Sequence, residues 1–295
     1  MNAPVSSNAG LKGSALDHAG LRLTAAELIA LRPAPRPARH RPASRRPGAI
    51  AARVAGQGMD LREIRAFSDG DDLRRIDPAA TARTGQLHVR SFFEDRDDTT
   101  LLIADFRPAM LWGTGNSLRS VRAGRLLARL GWEAVGRGGS VALLAAGGEA
   151  PFSRAAGMGA EQMQALALVL AQAHDAALLR QMAAGAGPVQ AHDLSAILAQ
   201  GQRMVPPGGQ IHLATGPEGL GSGDAALSRL AKGRAVTVHL LLDRAETAPP
   251  EPALSVSDGR ASRFGRLGGY DPAPLLRHLR SLGAEAVMVE ADDAG

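Results

Sequence analysis

Cysteine is absent from the 295 residues, which excludes disulfides, thiolate zinc sites and a cysteine nucleophile, and suits a reducing compartment. Aromatics make up only 3%, so the chain offers no platform of rings for stacking nucleic-acid bases. Its core has to be built from Leu, Val, Ile and Ala, and the 45% apolar fraction is enough for a sizeable one. Long apolar runs are missing as well. The two most apolar stretches, Thr100–Trp112 and Ala235–Leu242, are strand-sized and interrupted by Asp105, Arg107 and His239, far short of the roughly 20 apolar residues of a membrane-spanning helix. Met1 to Gly20 has no apolar segment of the signal-peptide kind, so a soluble, cytoplasmic protein with no membrane span is expected.

Lysine occurs only at positions 12 and 232, and arginine carries the positive charge. The net charge of +5 is unevenly placed. Residues 1–50 hold eight basic residues against Asp17 and Glu27, a balance of +6, which leaves −1 for the other 245. Residues 1–47 therefore read as a basic, Pro/Arg-rich arm, largely flexible, with one short helix started by a Thr24/Glu27 capping box. Its stretch from Arg32 to Pro47 could wrap an acidic partner or touch nucleic acid, although a solvated linker is the plainer reading.

Beyond Gly48 apolar strands alternate with helical spacing. Asp77-Pro78 is an N-cap followed by an N1 proline, and Gly85 stops the helix they start. Gln86–Glu94 reads as a strand, and Thr99–Asp105 as one buried on both faces. Helices are expected near 123–134, 160–181, 193–204, 224–232 and 272–282. Strands are expected at 141–145, 210–215, 235–243 and 286–290, with a polar hairpin at 253–264. Strands separated by helices imply a doubly wound, mostly parallel α/β sheet flanked by helices, whose ligands gather at the carboxyl ends of the strands.

Catalytic motifs are wanting. Neither lysine lies in a P-loop, no His-Glu-x-x-His appears, and Gly221-Ser222-Gly223 lacks the spacing of a nucleophile elbow. The glycines of Gly219–Gly223 follow a strand and precede a helix, where backbone N–H groups could meet an anion, though such turns are usually only turns. Asp69, Asp71, Asp72 and Asp77 could hold magnesium in a nuclease, but Arg74, Arg75 and Arg83 lie among them and would neutralise the carboxylates. A turn, a helix start and an ion-pair network (Arg75, Asp77, Arg83) is the reading preferred here. No enzyme activity and no cofactor are expected.

The residues from Gly56 to Asp105 resemble a bacterial family known as domain of unknown function fifty-eight. The likeness rests on Gly56-Gln57-Gly58-Met59-Asp60, Arg65, Gly70-Asp71-Asp72-Leu73-Arg74-Arg75-Ile76-Asp77, Ala82-Arg83, Leu87-His88-Val89-Arg90, Phe93-Glu94 and the strand ending at Asp105. Weaker likeness runs through Asp243-Arg244-Ala245-Glu246 to about residue 290. Pro78 replaces a tryptophan common in the family. The resemblance implies a von Willebrand factor A-like fold with an N-terminal extension, in which 48–98 is a signature segment packed on a core of residues 99–295. It also implies a protein-binding adaptor working with a MoxR-type AAA+ ATPase and a client, with nucleic acid an unfavoured partner.

A working metal-ion-dependent adhesion site of such folds uses Asp-x-Ser-x-Ser, a threonine from a second loop and a later aspartate, oxygen ligands suited to a hard cation. Here the corresponding positions are Asp105, Arg107 and Ala109, then His192, then Gly216, so only the first aspartate remains. Arg107 is expected to pair with Asp105 in place of a metal, unless Asp105 simply caps the turn that follows. The partner-binding candidates are accordingly Asp105, Arg107, His192, Gly216, Gly219 and Gly221, with Arg65, Gly70, Asp71, Asp72, Arg75, Asp77, Arg83 and Arg90 as the signature.

Overall fold

A computed structural model describes residues 16–34, 49–69, 71–185, 193–257 and 262–290. The chain divides into two compact units, one formed by Met1–Pro33 with Thr99–Gly295, the other by Ala34–Asp98.

In the larger unit the first helix, α1 (Ala25–Ala30), starts where the Thr24 hydroxyl accepts the Glu27 N–H at 3.2 Å. The reciprocal half of the expected capping box is replaced by an ion pair between Glu27 and Arg125. The smaller unit is a long antiparallel ribbon, β1 (Ala49–Ala66) against β2 (His88–Asp97), with a short helix α2 (Pro78–Thr84) between them. Asp77 caps α2 through the Ala80 N–H, and Gly85 ends it at φ 72°, a left-handed turn that glycine adopts without strain.

The larger unit then continues through β3 (Thr99–Asp105), α3 (Arg119–Arg137), β4 (Ser140–Ala146), β5 (Phe152–Met158), α4 (Gly159–Ala184) and α5 (Leu194–Met204). It closes with β6 (Gln210–Thr215), α6 (Asp224–Ala231), β7 (Ala235–Leu241), α7 (Arg244–Thr247), the hairpin β8 (Leu254–Ser257) with β9 (Ser262–Gly265), α8 (Ala273–Ser281) and β10 (Glu285–Val289). Six strands form one sheet in the order β10-β7-β6-β3-β4-β5, parallel except for the β4–β5 pair. The expected doubly wound, mostly parallel α/β architecture is therefore present.

Every residue of β3 and β4 is buried, as their unbroken apolar runs require of central strands. One face of the sheet packs Leu102, Ala104, Leu143 and Ala214 against α1, α3 and α4, and the other packs Leu101, Ile103, Ile211 and Val238 against α5, α6 and α8. The edge strand β5 was not anticipated. Its sequence, Phe-Ser-Arg-Ala-Ala-Gly-Met, shows no apolar alternation because it is exposed along most of its length.

A second difference concerns the N-terminal arm. Leu23 and Leu28 are fully buried in the core, the Trp132 indole donates to the Leu28 carbonyl at 3.0 Å, and Arg22 pairs with buried Asp175 at 2.9 Å. The chain here runs so close to α3 that a Cβ on Gly20 would lie 1.9 Å from the Asn116 carbonyl oxygen. Residues 20–31 thus belong to the packed unit, not to a flexible arm, because Leu23, Leu28 and Ile29 supply an apolar face. Residues 35–48 of the Arg-rich stretch lie outside the described residues, as do Gly70, His192 and Asp258. Among the described residues no helix is long and apolar enough to cross a membrane.

Candidate functional site at the carboxyl edge of the sheet

Asp105 ends β3 at the middle of the sheet, where the polypeptide turns towards α3. Its side chain is 1% exposed, and a carboxylate that deep has to be satisfied on both oxygens. Oδ1 accepts the Arg107 backbone N–H at 3.0 Å and Arg107 Nε at 2.8 Å. Oδ2 accepts Arg107 Nη2 at 2.8 Å and the Thr215 hydroxyl at 2.7 Å. The two readings of Asp105 are both realised: it caps the turn and is gripped by the guanidinium in a two-pronged pair. Burial works against the charge on Arg107, but the bonds to Asp105 outweigh it and raise its pKa.

Two neighbouring loops complete the edge. Asp193 caps α5 and accepts the hydroxyls of Ser195 and Ser222. Those two bonds, the Ser195 hydroxyl first, hold its pKa below the usual carboxylate range, with the nearby Arg107 charge adding to them. Ser222 lies beside Gly221, whose φ of 24° suits glycine, in the short 3-10 turns that lead from β6 to α6. Asp105, Arg107 and Gly216 lie together at this edge, and Gly221 is tied in through the Ser222–Asp193 bond.

A second polar cluster at the same edge escaped the sequence reading. Asp243 follows β7 and opens α7 with a full capping box shared with Glu246. It accepts both the backbone N–H and the hydroxyl of Thr114. Burial pushes its pKa up, but the Thr114 and Ala245 hydrogen bonds prevail and the net shift is downward. Arg119, the first residue of α3, is 0% exposed and pairs with Glu218 and Glu246 while lying 4.2 Å from the Trp112 ring centre. Thr215 and Arg119 were missed for one reason. A lone Thr at a strand end, or an Arg in a polar helix start, gives no signal until the strands place it beside a charge.

In the smaller unit the signature residues do structural work. Arg65 binds Asp71 through both nitrogens at 2.6 and 2.8 Å, and Asp71 also accepts the Ser68 N–H. Asp72 caps a 3-10 turn by accepting the Arg74 N–H. Asp77 pairs with Arg90 at 2.7 Å across to β2. Asp71 and Asp77 pair with Arg65 and Arg90, which the antiparallel ribbon brings alongside, whereas Arg83, expected in an ion-pair network with Asp77, is exposed at the end of α2. The Asp71 and Asp77 carboxyls are held below their ordinary range, Asp71 chiefly by Arg65 and Asp77 chiefly by the Ala80 N–H and then Arg90.

A hydroxyl and an imidazole do meet in the core. The Ser120 hydroxyl lies 2.9 Å from His174 Nε2, but both residues are fully buried and His174 Nδ1 has no hydrogen-bond partner among the described residues. Burial, reinforced by Arg22, drops the His174 pKa to about 3, so it is a neutral core group packed edge-on against Phe106.

Fold and edge geometry define a doubly wound α/β protein whose sheet edge carries paired charges. Residues 63–203 match the family described as Protein of unknown function DUF58. Over 61 residues it is 41% identical to uncharacterized proteins of Mycobacterium tuberculosis and Mycobacterium bovis. That match spans 21% of this chain and 19% of each relative, so the chain covers about a fifth of their length. Among solved structures, a conserved hypothetical protein BatB from Bacteroides thetaiotaomicron is 18% identical at a TM-score of 0.43, over 65% of this chain and 90% of that one. An uncharacterized membrane spanning protein from Vibrio fischeri is 12% identical at a TM-score of 0.23, over 66% and 93%.

Proposed function

We propose that this chain is a non-catalytic protein-binding adaptor, with a von Willebrand factor A-like larger unit that engages a partner at the carboxyl edge of its sheet. The observation that carries the reading is the state of Asp105. The magnesium that such folds use to bridge a ligand does not fit the residues present. Both carboxylate oxygens of Asp105 are taken by Arg107 and Thr215, and Ala109 and Gly216 offer no side-chain oxygen. A guanidinium beside Asp105 also repels a divalent cation. The edge is left as a rigid, charged, metal-independent surface, placed where this architecture binds ligands.

The family resemblance extends the reading to a cytoplasmic partnership with a MoxR-type AAA+ ATPase, in which the chain presents a client during assembly or maturation of a protein complex. The test is a pull-down from the native cell with wild type and Arg107→Asp, followed by direct titration of the purified ATPase. Capture by wild type, weakened at least tenfold in Arg107→Asp, is expected. If neither form retains an ATPase or a stable protein partner, the adaptor reading is wrong.

A further inference from the structure

Arg119 is a buried cation whose partners differ in how firmly they are held. Glu246 is fixed, since its carboxylate also accepts the Asp243 N–H at 2.7 Å and completes the α7 capping box. Glu218 is not fixed in this way. It stands on a single 3-10 turn with its side chain 50% exposed, and its oxygens lie 3.2 and 3.3 Å from Arg119 Nη1, longer than the 2.7–2.9 Å of a well-made charged hydrogen bond. Arg119 Nη1 has one further contact, the Ala109 carbonyl at 3.4 Å, and its Nε finds no hydrogen-bond partner among the described residues. The guanidinium is therefore incompletely satisfied, and the one charged partner open to solvent is a carboxylate.

We propose that Glu218 is a stand-in ligand, and that its seat on Arg119 receives an Asp or Glu side chain from a protein partner. The proposal rests on the adaptor reading and names the chemistry of its contact. Trp112 backs the guanidinium and holds its plane. Gly216 keeps the seat open, since a Cβ there would lie 2.9 Å from the Glu218 carboxylate and 3.3 Å from Arg119 Nη1. Charge selects the ligand. Glu218, Glu246 and Asp271 already make the surroundings negative enough to raise the pKa of neighbouring Tyr270, behind its burial. Exchanging one carboxylate for another leaves that balance unchanged, whereas a phosphate dianion would worsen it. Glu218, tethered beside Arg119, acts as an intramolecular competitor that only a partner with additional contacts displaces.

The test uses the full chain, an acetylated and amidated tetraglutamate peptide and its tetralysine counterpart. The readout is the indole N–H resonance of Trp112, one of only two tryptophans. Glu218→Ala is expected to move that resonance at tetraglutamate concentrations at least tenfold below those needed by wild type, while the Trp132 resonance stays still. Arg119→Met is expected to abolish the response, and Arg119→Lys, which keeps the charge should the methionine variant unfold, to weaken it. No gain in Glu218→Ala, or an equal response to tetralysine, overturns the proposal. The two readings fail separately. Equal capture of the ATPase by wild type and Arg119→Lys would sink the carboxylate seat alone, and peptide binding without any cellular partner would sink the adaptor alone.

Discussion

Replacing Arg107 by alanine tests the central claim, that a guanidinium has taken over the neutralisation of Asp105. Four hydrogen bonds converge on that carboxylate. The substitution removes the two from Nε and Nη2 and keeps the two from the Arg107 backbone N–H and the Thr215 hydroxyl. Breaking a buried ion pair from one side costs ~3–5 kcal/mol, because an uncompensated charge stays behind. The two surviving bonds, and the 15% exposure of the Arg107 side chain, put the loss near the lower bound, about 3 kcal/mol. For a unit of this size that lowers Tm by roughly 6–12 °C. Thermal and urea unfolding followed by circular dichroism measure it, and the urea slope should not change. The decisive comparison is the Asp105→Asn background. With the charge gone, Arg107→Ala should cost less than ~1.5 kcal/mol, giving a coupling of about 2 kcal/mol. Two costs that add to within ~0.5 kcal/mol would refute the reasoning, since the pair would then carry no interaction of its own.

Three further outcomes follow from the same geometry. Arg107→Ser with Ala109→Ser restores the Asp-x-Ser-x-Ser oxygens around Asp105, and millimolar magnesium should raise the Tm of that variant but not of wild type; a rise in wild type would contradict the fit argument. Leu28→Ala should destabilise the larger unit by ~2–5 kcal/mol, as expected for a fully buried core leucine, and an unchanged Tm would return α1 to the arm. His212 and His239 lie 3.2 Å apart, and burial first, then Arg137 for His212 and the His212 ring for His239, lowers each pKa to about 4 from 6.5. Both are neutral when folded, so their contribution is complete above pH 6.5 and is lost as the pH falls from there towards 4, by up to ~1.4 kcal/mol per pH unit for each. The double glutamine variant should flatten that limb of the stability curve, and an unaltered slope between pH 6.5 and 4.5 would show that the pair does not titrate as described.

Local chemistry was legible in the sequence wherever it acts over a few residues. Asp77-Pro78 and Gly85 bounded α2, the apolar run Thr99–Asp105 announced a doubly buried strand, and Asp105-Phe106-Arg107 was short enough to foresee its own ion pair. Alternating apolar periods were enough for a doubly wound α/β sheet. They were silent on β5, because an exposed edge strand needs no apolar face. Pairing at a distance belongs to the tertiary structure. Thr215 meets Asp105 only because β6 lies beside β3, and Arg90 rather than Arg83 neutralises Asp77 because the β1–β2 ribbon folds back past α2. The burial of Arg119 between Trp112, Glu218 and Glu246 joins three loops that the sequence keeps up to 134 residues apart, and no period or motif encodes such a meeting. The short-range rules fixed what most of the apolar segments would become. The sheet decided which distant groups would share the low-dielectric edge, and hence that Thr215 joins Arg107 on Asp105.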